Sequence, residues 1–211
     1  MSEQGRAARA PAMPEAERVR LILEAAESVF AVSGYGAATM EEIARACGMA
    51  KKTLYRFFPD KASVFSALID THESPRLPWQ TGEGEDQDEG EALHRLLMDM
   101  GQYILTPRQM LLTRLVIAES AQYPELAARF QEDCIARTET YLADRLRHLA
   151  PRHVEPDLLA EMVVGAVIGS VQIKSLISSR DRKVEMEELR RHAQATMALL
   201  LGPLLAAQPA A

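Results

Sequence analysis

The chain has 211 residues, of which 47% are hydrophobic and 26% are charged, and its formal net charge is −6. Its two cysteines, Cys47 and Cys134, are too few for a disulfide-stapled secreted scaffold and indicate a reducing cytosol. The apolar runs at 162–168 and 197–207 are shorter than the roughly 18 residues of a membrane span, and no apolar stretch typical of a secretory signal follows the first residues. We therefore expect a soluble cytoplasmic protein without a membrane partner.

Apolar residues recur with the 3.6-residue period of helices along most of the chain, and no stretch alternates with the period of a strand. The sequence predicts an all-α protein of about nine helices. Residues 1–13, rich in Ala, Arg and Pro, are predicted to form a disordered arm. A first helix follows Pro14 and is expected to end at Gly34.

Residues 39–58 have the pattern of a helix-turn-helix inside a predicted domain of residues 14–74. Thr39 and Glu42 have the spacing of a capping box, which indicates a helix start. Gly48 lies where the chain must turn sharply, and we expect a positive φ there. The second helix begins near Ala50 and buries Leu54, and a fourth helix covers about 60–73.

An acidic, Gly-bearing segment at 75–90 is predicted to be a flexible linker. Residues 91–211 are predicted to form a second helical domain. Its predicted helices cover about 91–105, 107–123, 124–150, 156–178 and 184–201, and Gly202-Pro203 is expected to break the last apolar run.

The segment 45–61 is basic within an acidic chain, with five basic residues and one acid. A helix-turn-helix places the first turn of its second helix in the major groove. Lysine donates to guanine there and a threonine methyl contacts thymine, so Lys51, Lys52 and Thr53 are the candidates for contacts at base edges. The candidates for phosphate contacts, which carry no sequence information, are Thr39, Tyr55, Arg56 and Lys61.

These motifs resemble a known family. Between residues 17 and 69 the match rests on Ile22-Leu23-Glu24-Ala25-Ala26, Phe30, Gly34-Tyr35, Thr39, Ile43-Ala44, Gly48, Thr53-Leu54-Tyr55-Arg56-Phe57-Phe58 and Lys61. At these positions the chain resembles the N-terminal domain of TetR-family regulators. The resemblance implies an all-α homodimer that binds DNA, usually as a repressor released by a small molecule. Ala50 departs from the pattern, because the family commonly has Ser or Thr as the helix cap there.

The second domain has a shorter resemblance. Arg114-Leu115-Val116-Ile117-Ala118-Glu119, followed by Tyr123-Pro124-Glu125-Leu126-Ala127, is similar to the C-terminal domain of the AefR-like branch, close to AcrR-type efflux regulators. The resemblance implies a ligand or dimerisation domain and identifies no ligand. It also suggests that ligand binding shifts the fourth helix and changes the spacing of the two recognition helices.

The second domain contains candidates for a mostly apolar cavity that binds a hydrophobic effector. They are Met100, Tyr103, Arg114, Glu119, Tyr123 and Gln172. The alternative is that the methionines only fill the core.

Two glycines inside an apolar helix cost about 1 kcal/mol each relative to alanine, and a close helix–helix approach would compensate. The favoured interpretation is a seam between two copies of the chain, and its alternative is the core of one copy. The candidate seam residues are Gly165, Gly169, Val171, Met197, Leu200 and Leu201.

We therefore predict a DNA-binding transcriptional regulator, not an enzyme, whose dimer carries two recognition helices about 34–36 Å apart, or somewhat wider, over a pseudo-palindromic operator. The five histidines lack the spacing of metal ligands, and no cofactor motif occurs, so we expect neither a metal nor a cofactor. The alternative is a helical small-molecule-binding protein or enzyme whose basic patch is incidental.

Overall fold

The computed structural model describes residues 13–70 and 88–207. The predicted arm, apart from Met13, and most of the predicted linker lie outside the described residues. The described part of the chain consists of helices and their connections and contains no strand. The all-α prediction is confirmed.

Nine continuous helices run through these residues in the predicted order. They are α1 (Glu15–Ala37), α2 (Met40–Ala46), α3 (Lys51–Phe57), α4 (Lys61–Asp70), α5 (Glu89–Ile104), α6 (Pro107–Glu119), α7 (124–146), α8 (Pro156–Ile177) and α9 (182–206). At Gly34 the backbone leaves the helical region, with φ at 74°, so α1 bends there and continues to Ala37.

Three of these helices contain a π-helical turn, in which the hydrogen bonds skip one more residue than in an α-helix. The turns cover Gln131–Ala136 in α7, Gly165–Gly169 in α8 and Met197–Leu201 in α9. The last one explains why α9 continues past the break predicted at Gly202-Pro203. Pro203 falls in the first turn of the α-helical segment that follows, where its missing N–H costs little.

The described residues form two compact units, divided between Val64 and Phe65. This division lies within α4, earlier in the chain than the acidic segment in which we expected the boundary. In the first unit Ile22, Phe30, Ile43 and Leu54 are at most 1% exposed. They come from α1, α2 and α3, so these three helices share one apolar core.

The core of the second unit is formed by α5, α7, α8 and α9. The fully buried residues Met100, Leu142, Val167 and Leu189 represent the four helices in this core. Burial of such apolar side chains is the main force that holds helices of this kind together.

One of the described helices, Pro156–Ile177, is long and apolar enough to cross a membrane by length and composition alone. In the sequence, residues 162–168 form a short apolar run that by itself does not predict a membrane span. In the structure this run is part of a longer helix, in which π-helical and α-helical parts join. Leu159, Val163 and Val171 on this helix are buried in the core of the second unit, which is the usual reason for such a composition in a helix that packs inside a protein.

Candidate nucleic-acid interface and effector cavity

Helix α2 begins with the predicted capping box. The Glu42 amide donates to Thr39 Oγ1 over 3.2 Å, while the amide and the hydroxyl of Thr39 donate to Glu42 Oε2 over 2.8 and 2.9 Å. These donors hold the pKa of Glu42 below its ordinary value. Because the Thr39 hydroxyl already donates to Glu42, a phosphate contact by Thr39 stays a prediction that requires this proton to be shared or released.

The turn between α2 and α3 has the geometry that the sequence predicted. Gly48 has a φ of 67°, in the region that only glycine adopts readily. The Gly48 amide donates to Arg45 O over 3.2 Å and the Met49 amide donates to Ala44 O over 3.0 Å. This pair of bonds is a Schellman motif, which ends α2 and redirects the chain into α3.

Helix α3 is held by packing rather than by a cap. Ala50 makes no side-chain hydrogen bond at the helix start, as expected from the departure of this position from the family pattern. Leu54 is fully buried and fixes one side of the helix. The other side presents Lys51, Lys52, Tyr55 and Arg56 as exposed residues, and Thr53 is partly exposed between them.

Two of these exposed residues have partners on the same surface. The Lys51 ammonium is ion-paired with the carboxylate of Glu41 in α2, and both side chains are about half exposed. The same ammonium lies 5.8 Å from the centre of the Tyr55 ring. The pair raises the pKa of Lys51 and lowers that of Glu41. Within the described residues Lys52 has no such partner and presents its charge to solvent.

Lys61 contacts the backbone at the end of α1. Its ammonium donates to the carbonyl oxygens of Tyr35, Gly36 and Ala38, the last two over 3.0 and 2.9 Å. It also lies 4.4 Å from the centre of the Tyr35 ring. These carbonyls end α1, where a cation satisfies acceptors that have no helical donor. In the DNA-free structure three contacts of Lys61 are therefore to backbone within its own chain, and its phosphate contact stays a prediction.

The second unit contains a cavity of about 220 Å³ between α5, α6, α7 and α8. Its walls are mostly apolar. The lining residues are Ile104, Gln109, Thr113, Phe130, Cys134, Ile135, Thr138, Glu139, Val164, Gly165, Ile168, Gly169 and Gln172. The π-helical turns of α7 and α8 both contribute to this wall, and such turns are frequent at functional sites.

A hydrogen-bonded group forms one end of the cavity. Gln109 is 3% exposed; its amide donates to the Tyr103 hydroxyl over 3.1 Å and its carbonyl accepts from Cys134 Sγ at 3.7 Å. Burial raises the pKa of the Cys134 thiol to about 11 and raises the pKa of Tyr103 well above its ordinary value. Both groups are therefore neutral at physiological pH, and Cys134 lacks the thiolate that redox switching requires.

Only part of the predicted effector set is near this cavity. Gln172 lines it, and Tyr103 touches a lining residue. Met100 is fully buried in the core of the second unit and does not line it. Arg114 donates to Ser175 O over 2.7 Å and to Leu176 O over 3.4 Å, so it caps the end of α8. Glu119 and Tyr123, which follow Arg114 in the chain, also lie outside the lining.

Sequence reasoning missed most of the cavity. Gln109, Cys134, Thr138 and Glu139 lie on α6 and α7, where the helical period marks them as inward-facing. The sequence contained that signal, but the apolar period alone does not distinguish a filled core from a cavity.

The predicted seam residues divide into three groups. Val171 and Leu201 are fully buried within one chain and are therefore not available to a second copy. Met197 and Leu200 are partly buried and pack against the core of their own unit. Gly165 and Gly169 line the cavity, and a Cβ atom placed on either would meet nothing within 4 Å. The seam assignment of Val171 and Leu201 does not hold, because both side chains face the core of their own unit.

Other apolar residues of these helices face solvent. Met162, Ile173 and Ile177 on α8 are 50%, 54% and 80% exposed, and Leu199 on α9 is 82% exposed. Ile173 and Ile177 are four residues apart and lie on one side of the helix. Leu199 lines a surface groove between α8 and α9, together with Ala166 and Ala195 and with the charged residues Lys174, Glu188 and Arg191.

Among the residues that the structure describes, no group of three or more His, Cys, Asp or Glu side chains could hold a metal ion. The described geometry thus offers one surface with exposed cations on a short helix and a mostly apolar cavity.

The sequence matches two family descriptions. Residues 22–68 match "Bacterial regulatory proteins, tetR family", and residues 91–202 match "AefR-like transcriptional repressor, C-terminal domain". Over 186 residues the chain is 24% identical to the HTH-type transcriptional repressor KstR of Rhodococcus jostii (strain RHA1), an alignment that covers 88% of this chain and 84% of KstR.

Solved structures have the same fold. A putative TetR-family transcriptional regulator from Mesorhizobium loti MAFF303099 superposes with a TM-score of 0.71 at 26% identity, over 90% of this chain and 98% of that one. The fatty acid degradation regulator FadR from Bacillus halodurans superposes with a TM-score of 0.72 over 89% and 98%, but its 19% identity shows the fold alone.

These matches identify a DNA-binding transcriptional regulator, a class of proteins that are not enzymes. The chain belongs to the TetR family of bacterial regulatory proteins and carries the AefR-like C-terminal domain of that family.

Proposed function

We propose that this protein is a cytoplasmic repressor that binds a pseudo-palindromic operator as a homodimer and leaves it when a small, mostly apolar effector binds. The observation that carries the proposal is the exposed face of α3: Lys51, Lys52, Tyr55 and Arg56 project from a helix that buried Leu54 anchors. Such a helix is the part of a helix-turn-helix that enters the major groove.

The proposed DNA contacts follow from exposure and partners. Lys52 and Thr53 are proposed to contact base edges, together with Lys51 once it leaves Glu41. Tyr55 and Arg56 are proposed to contact phosphates, and the amides at the start of α2 supply a further phosphate site beside Thr39.

The proposed effector site is the 220 Å³ cavity of the second unit. Effector sites are typically concave and apolar with a few polar groups, and Gln109 and Gln172 provide such groups here. Among the relatives, KstR is a repressor. This supports repression, rather than activation, as the proposed action of this chain.

The proposed dimer surface is the exposed apolar face of Met162, Ile173, Ile177 and Leu199. Exposed apolar patches of this kind mark interfaces between proteins. A second copy of the chain is the proposed occupant, because two recognition helices are needed to read a pseudo-palindrome. This face also accounts for the apolar composition of α8 without a membrane partner.

The proposed release is an allosteric coupling between the cavity and the recognition helices. Helix α4 belongs to both compact units, since the division falls between its residues Val64 and Phe65. An effector that prefers the conformation with the wrong helix spacing by about 1–3 kcal/mol would suffice for a useful switch.

The test is fluorescence anisotropy with duplex DNA from upstream of the chain's own coding sequence. Lys52→Ala should weaken binding and lower the slope of log affinity against log salt, by about one if the lysine touches a phosphate. Lys183→Ala, which removes an equally exposed lysine in α9, is the matched control and should change neither quantity. Equal binding of the upstream duplex and a scrambled duplex would favour the alternative of an incidental basic patch.

A further inference from the structure

We propose that the effector is a small organic amine: one compact apolar group joined to an ammonium that pairs with Glu139. This inference deepens the proposed function and depends on it, because it names the chemical class of the molecule that the cavity of the second unit binds.

The size of the cavity limits the apolar group. A volume of about 220 Å³ corresponds to about seven water molecules at liquid density, and it lies below the about 300–1,000 Å³ of common ligand pockets. One aromatic ring or a short alkyl chain fits this space, whereas a system of several fused rings does not.

The walls determine where such a group packs. Phe130, Ile135, Val164 and Ile168 supply apolar surface, and the Cα atoms of Gly165 and Gly169 leave a side of the cavity without side chains. A flat or narrow apolar group can approach the helix backbone closely there.

The charge of the lining selects the polar group. Glu139 is the one charged residue among the described lining residues. Within the described part of the chain it makes neither a hydrogen bond nor an ion pair. Burial raises the pKa of Glu139, and the negative charges of Glu161 and Asp157 raise it further. A carboxylate in this position lacks compensation, and an ammonium from a ligand supplies it.

The same charges disfavour an anionic effector. A ligand carboxylate in the cavity would meet the negative charge of Glu139, which Glu161 and Asp157 reinforce, and like charges repel. Arg108 and Arg137 act on the Tyr103 side of the site, but neither lines the cavity. An anionic effector would therefore have to bind at that side, and the experiment includes this outcome.

The experiment uses three probes of one shape: 4-phenylbutylamine, 4-phenylbutanol and 4-phenylbutyrate. Isothermal titration of the full chain should show that the amine binds about tenfold more tightly than the alcohol, which corresponds to about 1.4 kcal/mol. The carboxylate should bind more weakly than the alcohol.

Two variants test the assignment to Glu139. Glu139→Gln should weaken amine binding about tenfold and leave alcohol binding unchanged. Glu132→Gln, which alters an exposed glutamate on the same helix outside the lining, is the matched control and should change neither. Gly169→Ala, which adds a methyl group to the wall, should weaken the amine and the alcohol together.

Preferred binding of the carboxylate, equal binding of amine and alcohol, or no binding of any probe would overturn this proposal. Anisotropy with the upstream duplex is measured on the same preparations, because specific DNA binding by wild-type protein tests the proposed function separately from the effector class.

Discussion

Lys51 on the recognition helix is ion-paired with Glu41 on the helix before it. Both side chains are about half exposed, so the free energy of this pair is small. Its consequence is geometric: the carboxylate holds one of the cations of α3 at the protein surface, and we expect a base edge or a phosphate to compete with Glu41 for Lys51.

Glu41→Gln should therefore strengthen DNA binding. The substitution removes a negative charge from the DNA-facing surface and frees Lys51, so we expect the affinity for any duplex to rise a few-fold and the salt slope to steepen by up to about one. Anisotropy at several salt concentrations measures both. Glu24→Gln, an exposed acid on α1, is the control, and unchanged affinity in Glu41→Gln would show that the pair does not restrain Lys51.

Lys61→Met should lower stability. The change leaves the carbonyls of Tyr35, Gly36 and Ala38 without the donor that they share, and the expected loss is about 1–3 kcal/mol. Urea unfolding followed by circular dichroism measures it. If stability were unchanged while the salt slope fell by about one, Lys61 would be a phosphate ligand after all.

Gly165→Ala and Gly169→Ala should each stabilise the protein by about 0.5–1 kcal/mol, because alanine is the better helix former and the added methyl group meets no atom within 4 Å. The same methyl group occupies cavity volume, so effector binding should weaken. Thermal unfolding combined with the probe titrations reports both effects, and a loss of stability in either variant would contradict the open space above these residues.

Gly101→Ala is the matched comparison for these variants. A Cβ atom on Gly101 would clash with Cδ1 of Leu189, whose side chain is fully buried. Overpacking of this kind costs about 1–3 kcal/mol. A glycine-to-alanine change should thus lower the free energy of unfolding at Gly101 and raise it at Gly165 and Gly169.

Acid should remove a stabilising contribution of Glu188. Hydrogen bonds from Lys174 and Arg180 lower the pKa of Glu188 to about 2. A carboxyl with a lowered pKa in the folded state stabilises the protein fully above its unfolded value of 4.5, and this contribution is lost as the pH falls from 4.5 to about 2.

Glu188→Gln should accordingly be less stable than wild type at pH 7, on the order of 1 kcal/mol after solvent screening, and the difference should shrink towards pH 2. Urea unfolding of both proteins across this range measures it. A difference that stays constant with pH would mean that the Glu188 carboxylate contributes no net stabilisation.

Leu199→Arg should convert the proposed dimer to a folded monomer, because it places a charge in the proposed dimer surface. Sedimentation velocity at micromolar concentration measures the change. Ile117→Arg is the control: it makes a similar change at an exposed apolar residue on α6 and should leave the proposed dimer intact. A dimer that tolerates Leu199→Arg would place the interface elsewhere.

The sequence by itself determined the features whose atoms lie within a few residues of one another. The Thr39–Glu42 capping box and the positive φ of Gly48 involve spans of three to five residues. The chain can form such contacts before any helix packs, so residue type and spacing were sufficient to predict them, and with them the helix-turn-helix and the order of the helices.

Tertiary structure alone decided the contacts between distant residues. Lys61 reaches carbonyls 23 to 26 residues away, and Arg114 reaches carbonyls 61 and 62 residues away. Helical period likewise placed Gly165 and Gly169 on one face of α8 but did not show that this face borders a cavity. A period reports which residues share a side of a helix, whereas the neighbour of that side follows from how all the helices pack together.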